Sequence, residues 1–282
     1  MQNTTTKIFL DSGDPTETKL LINTGVLLDG QTTNPSLIVK NPEIIEFLKN
    51  QKFTRSELFE KYHAIVMDIR NILPKGDISA EVYADINSST EDLVLQGKII
   101  AKWFPGVFVK LPITEAGLGA AEILTREGVS VNMTLCFTQE QAAAVHAATK
   151  DKSQNTHVYV SPFVGRLDDI GLDGCSLLNN ISTMYKNWNS HVDVLGASIR
   201  NREHVNFCLK INLSALTAPM KLISEINSSE QSRGTQESSQ LVLENISFQE
   251  LLELPWNQYN IKHQLTDKGL EKFADDWNKI CI

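Results

Sequence analysis

Lys110 lies within Val107-Phe108-Val109-Lys110-Leu111-Pro112, an amine with apolar neighbours on both sides. Burial disfavours an ammonium ion. A neutral amine attacks a ketone carbonyl to form a Schiff base, the electron sink that carbon–carbon cleavage requires. Such chemistry also needs groups that move protons while the imine forms and while a substrate hydroxyl is deprotonated. Glu81 and Asp11 are the carboxylates at the ends of nearby apolar runs. Asn132 and Thr134, two residues apart, face the same way in a regular strand and can both reach the lysine's surroundings. Arg166 and Arg200 offer planar forks for a phosphate, with Ser198 on the face of Arg200 adding a hydroxyl donor. Asn34 and Ser161 also stand at the ends of apolar runs. Each residue has an ordinary alternative. Strand-end asparagines cap turns, strand lysines reach out to solvent, and the arginines can pair with Asp168 or Glu203 at the surface.

To converge, these residues need a scaffold that brings many strand ends together. Ile8–Asp11, Val26–Thr32, Ile78–Tyr83, Val107–Leu111, Val129–Leu135, His157–Ser161, Val192–Ser198 and Lys210–Ser214 read as eight strands. Several lack polar alternation, as parallel strands covered on both faces do. Helix starts lie between them. Asp14-Pro15-Thr16-Glu17 and Asn41-Pro42-Glu43 carry cap-then-proline signals, and Thr138 with Gln141 forms a capping box. Gly128 stops a helix that begins near Thr114. Repeated strand–helix units imply right-handed crossovers. Eight of them predict an α/β fold, a single (β/α)8 TIM barrel over residues 1–282, whose active-site face is formed by the C-terminal strand ends. An open doubly wound sheet is the alternative, though no glycine-rich dinucleotide fingerprint or P-loop follows a strand. Thr54–Leu73 reads as an additional helix and 227–240, rich in serine and glutamine, as an exposed mobile loop. C-terminal helices are expected over about 247–280, with Leu270, Phe273, Trp277 and Ile280 on one stripe.

The chain has 282 residues, a length compatible with two domains or one barrel of about 250 residues. Its 26 basic and 34 acidic residues leave a formal net charge of -8, which disfavours nucleic acid or an acidic membrane as a general partner. Cys136, Cys175, Cys208 and Cys281 show neither metal-site spacing nor a C-x-x-C pair and read as reduced thiols. No run approaches 18 apolar residues, and MQNTTTK lacks the apolar centre of a signal peptide. A soluble cytoplasmic protein is the expectation.

FLDSGD around Asp11, TTNPSL around Asn34, AEV around Glu81, VKLP around Lys110, VNMTLCF around Asn132 and Thr134, SPFVGRLDD around Ser161 and Arg166, and GASIRN around Ser198 and Arg200 resemble the transaldolase family of class I aldolases. The matches occur in the family's order over about residues 7 to 201. The resemblance implies a barrel that moves a dihydroxyacetone unit from a ketose phosphate to an aldose phosphate, in the pentose phosphate pathway, without a metal or organic cofactor. It implies that Lys110 is the Schiff-base lysine and Asp11 the acid/base at the carbon–carbon bond. Glu81 would act through a water held with Thr134. Asn34 and Asn132 would hold hydroxyls of the dihydroxyacetone unit, Ser161 and Phe163 would line the site, and Arg166, Ser198 and Arg200 would take the acceptor phosphate. Related fructose-6-phosphate aldolases, which release free dihydroxyacetone, carry glutamine in place of Glu81 and tyrosine in place of Phe163. Such an aldolase is one alternative; a barrel that binds sugar phosphates without turnover is another. Family members form dimers and larger rings, so a homo-oligomer fits the resemblance. HVNFCLKINL departs from it, lacking a small-residue turn between the seventh helix and the eighth strand.

Overall fold

The computed structural model describes residues 6–226, 240–247 and 254–282. Eight parallel strands close into a barrel in chain order. They are β1 (Lys7–Asp11), β2 (Gly30–Thr32), β3 (Asp77–Glu81), β4 (Phe108–Pro112), β5 (Val131–Cys136), β6 (Val158–Pro162), β7 (Val192–Gly196) and β8 (Ala215–Ala218), with β8 pairing on β1. One helix after each strand builds the outer ring: α1 (Pro15–Asn23), α4 (Arg55–Ile72), α5 (Thr90–Ile100), α6 (Glu115–Arg126), α7 (Gln139–Thr149), α9 (Gly174–Trp188), α10 (Arg202–Lys210) and α11 (Met220–Ile226). Added to the ring are α2 (Pro35–Ile38), α3 (Pro42–Leu48), α8 (Val164–Asp168) and α12 (Gln264–Lys279). The expected (β/α)8 barrel is therefore the fold. Among the described residues no helix is long and apolar enough to cross a membrane.

The helix starts follow their caps. Asp14 Oδ1 accepts the Thr16 N–H at 2.8 Å, Asn41 Oδ1 the Glu43 N–H at 2.9 Å, and Thr138 Oγ1 the Gln141 N–H at 3.0 Å. Each cap satisfies a donor that the helix itself leaves open, worth about 1 kcal/mol. Gly128 takes φ 89° after α6, as a helix-stopping glycine does.

Four element readings need correction. The eighth strand is Ala215–Ala218, whereas Lys210–Ser214 spans the end of α10 and the turn after it. Asn212 adopts φ 50° there, so asparagine performs the left-handed turn for which glycine was sought. β2 is only Gly30–Thr32, because Val26–Asp29 is the lead-in from α1 and Leu27 is exposed. β7 ends at Gly196, before Ser198 turns to φ 55°. Thr54–Leu73 is no addition: α4 packs on β3 and α1 as the crossover helix, and the extra pieces are α2 and α3. Residues 227–239 and 248–253 lie outside the described residues. Of the C-terminal stretch, α12 is helical and buries Leu270, Phe273 and Trp277.

Inside the barrel, Phe9, Phe108, Tyr159, Leu195 and Ala215 form their own apolar cluster, with the Tyr159 ring 5.8 Å from Phe9 and 5.1 Å from Phe108. Phe9, Phe108 and Tyr159 lie two residues before Asp11, Lys110 and Ser161 on the same strands. Side chains two apart share a face, so the aromatic layer forms a floor and the polar residues stand above it.

Candidate active site

Above the floor lies a cavity of about 230 Å³. Asp11, Asn34, Lys110, Thr134, Ser161, Phe163, Arg166, Ser198 and Arg200 all line it. Glu81 and Asn132 stand behind this lining. Strand register explains why they gather: Glu81 is paired with Lys110 across β3 and β4, and Lys110 with Asn132 across β4 and β5.

Lys110 Nζ is 2.9 Å from Glu81 Oε2, and the two side chains are only 5% and 4% exposed. Nζ also donates to the Thr33 carbonyl at 3.1 Å. Burial raises the Glu81 carboxyl above its ordinary range, opposed first by the Lys110 charge. A carboxyl in that state can exchange a proton with the amine it touches. Asn132 is held between Ser79 and Ser161: its Nδ2 donates to Ser79 Oγ at 3.1 Å, and its Oδ1 accepts from Ser161 Oγ at 2.6 Å. Thr134 Oγ1 is buried without a hydrogen-bond partner among the described residues.

Asp11, at the end of β1, accepts from Thr32 Oγ1 at 2.8 Å, and that hydroxyl lies 2.7 Å from Thr217 Oγ1. By surface Asp11 is half-buried, yet desolvation outweighs Lys110, Thr32, Lys40 and Arg166 and raises its carboxyl. Asn34 both caps α2, accepting the Leu37 N–H at 2.9 Å, and turns toward the cavity with Nδ2 left as donor.

Neither arginine makes the surface pair considered from sequence. Asp168 is 2.8 Å from His204, and Arg200 pairs with Asp169 rather than Glu203. Arg166 has no carboxylate within 4.0 Å among the described residues. Its guanidinium lies between Phe163, at 5.0 Å, and Phe273 of α12, at 5.4 Å. Gly269 makes this possible, since a Cβ there would come within 2.6 Å of both Arg166 and Leu135. Gly165 has a similar task, leaving space against Arg200 and the Ser198 carbonyl.

Sequence reasoning missed Lys40, Lys272 and Phe273 on the cavity wall and the Thr33 carbonyl beneath it. Lys40 follows the TTNPSL segment closely enough to have been noticed. Phe273 reads locally only as part of an apolar stripe and Lys272 as a surface charge; the packing of α12 on α2 and β5 delivers them to the cavity. Ser36 of α2 bonds Asp276 of α12 and helps fix that packing.

Residues 8–282 match the family model described as Transaldolase/Fructose-6-phosphate aldolase. The chain belongs to this family. Proteins named "Probable transaldolase" resemble it along nearly their whole length. The one from Herpetosiphon aurantiacus is 34% identical, with 97% of this chain and 96% of that protein covered. Those from Dehalococcoides mccartyi and Brucella ovis are 32% and 35% identical, covering 97% of this chain and 99% and 97% of the relatives. The fold is also shared with an enolase from Agrobacterium radiobacter, at TM-score 0.50 and 11% identity, over 76% of this chain and 51% of that one. Family membership makes this an aldolase-type enzyme, with an architecture common to transaldolases and fructose-6-phosphate aldolases.

Proposed function

We propose that the protein is a cytoplasmic transaldolase that moves a dihydroxyacetone unit from fructose 6-phosphate or sedoheptulose 7-phosphate to an aldose phosphate through an imine on Lys110. The observation that carries this reading is the buried Lys110–Glu81 pair at 2.9 Å, at the inner end of a cavity that also holds Asp11. The relatives' names and the glutamate at position 81 favour transfer over simple cleavage.

Glu81 takes a proton from the Lys110 ammonium, and the free amine adds to the ketose carbonyl. The carbinolamine hydroxyl then leaves as water with a proton returned by Glu81, giving the iminium. Thr134, whose hydroxyl is buried and unpartnered among the described residues, is suited to hold a relay water. Asp11 removes the proton from the hydroxyl on the far carbon of the bond to be cleaved, which becomes the departing aldehyde. That bond breaks, its electrons enter the iminium to give an enamine, and an aldose phosphate departs. The acceptor aldehyde reverses these steps. Asn34, Asn132 and Ser161 orient the three-carbon unit beside Phe163, while Arg166, Arg200 and Ser198 hold the phosphate.

Borohydride reduction with fructose 6-phosphate should inactivate the enzyme and leave one three-carbon unit on the Lys110 peptide. Label on another lysine would refute the assignment. Turnover of fructose 6-phosphate should require erythrose 4-phosphate; release of free dihydroxyacetone at the same rate without it would point to the aldolase alternative.

A further inference from the structure

The β2–β3 ladder is interrupted at its last rung. Thr33 N–H donates to the Ser79 carbonyl at 3.1 Å, as a parallel ladder requires. The next rung would send the Glu81 N–H to the Thr33 carbonyl. It goes instead to the Tyr62 hydroxyl, at 2.7 Å. The Thr33 carbonyl is thereby left to accept from Lys110 Nζ at 3.1 Å.

Hydrogen positions along this chain of contacts are determined by counting. Thr33 Oγ1 gives its single hydrogen to the Ser79 carbonyl at 2.9 Å, so at the 2.7 Å contact with Tyr62 it accepts. The Tyr62 hydroxyl therefore donates to Thr33 and accepts from Glu81. Its ring is 2% exposed and clasped edge-on by Trp103 and Trp277, at 5.4 and 5.9 Å, so the hydroxyl has a fixed place. Tyr62 comes from the middle of α4, outside the barrel, and reaches the strand ends that carry Asn34 and Glu81.

We propose that Tyr62 is a positioning residue: by taking the Glu81 amide hydrogen it frees the Thr33 carbonyl to hold the Lys110 amine in place for attack. The Thr33 carbonyl then directs one of the amine's hydrogens, and the Glu81 carboxyl holds Nζ by charge at 2.9 Å. After Glu81 has taken the ammonium proton, the Thr33 carbonyl still accepts one of the amine's hydrogens, so the amine keeps its place while its lone pair meets the substrate. Without the hydroxyl the ladder can close on Thr33, and the amine loses one of its two anchors.

The inference rests on Lys110 being the imine lysine, so the test separates the two. Rapid-quench borohydride trapping with fructose 6-phosphate measures the rate and the amplitude of labelling at Lys110. In Tyr62→Phe, which keeps the packed ring, the rate should fall about 10-fold, the scale of one hydrogen bond to a charged or reacting group. The KM for erythrose 4-phosphate should stay at the parent value. Thr33→Val, which leaves Tyr62 its hydroxyl but removes that hydroxyl's acceptor, should lower the rate by less, and the double variant should match Tyr62→Phe. A purely structural role would reduce the amplitude with the folded fraction and leave the rate intact. That outcome, or parental rates in both variants, would overturn the inference. If Tyr62→Phe fails to fold, a parental rate in Thr33→Val overturns it alone. Absence of Lys110 label in the parent enzyme would instead defeat the proposed function.

Discussion

Burial holds the Asp11 and Glu81 carboxyls above the ordinary carboxylate range, against the pull of the Lys110 charge on both. A raised folded-state pKa means that the folded protein binds more protons than the unfolded chain between the two values. Stability therefore declines as pH rises from about 4 through the raised value. Asp11→Asn preserves an acceptor for Thr32 and removes the buried charge. Its melting temperature at pH 7 should rise by a few degrees, on a scale of about 2–4 °C per kcal/mol. The same variant should still trap imine at Lys110 while cleaving hardly at all. Glu81→Gln strips Lys110 of its proton partner and should slow imine formation about 10²–10⁴-fold. In the parent, activity should fall on acidification at a pH above the usual carboxylate range, because Asp11 must be ionised to take a proton. A lower melting temperature in Asp11→Asn would show that its charge is compensated. The arginines can be tested by substrate. Arg166→Ala and Arg200→Ala should each cost about 10–150-fold in kcat/KM for erythrose 4-phosphate and little for erythrose. Equal losses would make both arginines structural.

The helix α12 completes a site whose other residues come from strand ends and the segments that follow them, α2 and α8 included. It brings Lys272 and Phe273 to the cavity and lays Phe273 against Arg166. Its approach depends on Gly269, where a methyl group would press on Arg166 and on Leu135, a residue already at φ 61°. Gly269→Ala should improve helix propensity by about 1 kcal/mol, yet push Arg166 off the Phe163 and Phe273 rings. The expected result is a KM for phosphorylated aldoses raised about 10-fold with erythrose hardly affected; an unchanged KM would show that α12 yields without moving the arginine. Across the helices, capping residues were readable because a cap bonds only two or three residues away. Asp14, Asn41 and Thr138 bond within their own turns, so sequence alone exposed them. α4 was readable as a helix but not as the crossover, since its role depends on what it packs against. Tyr62 escaped notice for the same reason: its partners Thr33 and Glu81 lie 29 and 19 residues away.

At the scale of the whole molecule, several histidines share one response to acid. Burial lowers His146, His191, His204 and His263, with His191 brought to about 4. For His204 this holds even against the neighbouring Asp168. A depressed folded value means that the unfolded chain binds more protons from about pH 6.5 down to the folded value, so stability is lost as pH falls through that window. The melting temperature should drop between pH 7 and pH 5, and His191→Gln should lessen the drop. An equal drop in that variant would place the acid sensitivity elsewhere. The sequence by itself determined the barrel, because eight apolar runs separated by capped helices admit few other closed arrangements. It also determined which polar residues stand at strand ends, because strand length and a two-residue repeat decide both the end and the face. Tertiary structure alone decided that Glu81 touches Lys110, that Arg166 is sandwiched between two phenylalanines, and that Arg200 meets Asp169 rather than Glu203. It also decided where β8 begins, since an asparagine turned the chain where no glycine signalled it. Those outcomes depend on register between strands, on a helix from the far end of the chain and on how the loops after the strands pack. Each is set by what packs across space, and the spacing of residues along the chain carries no record of it.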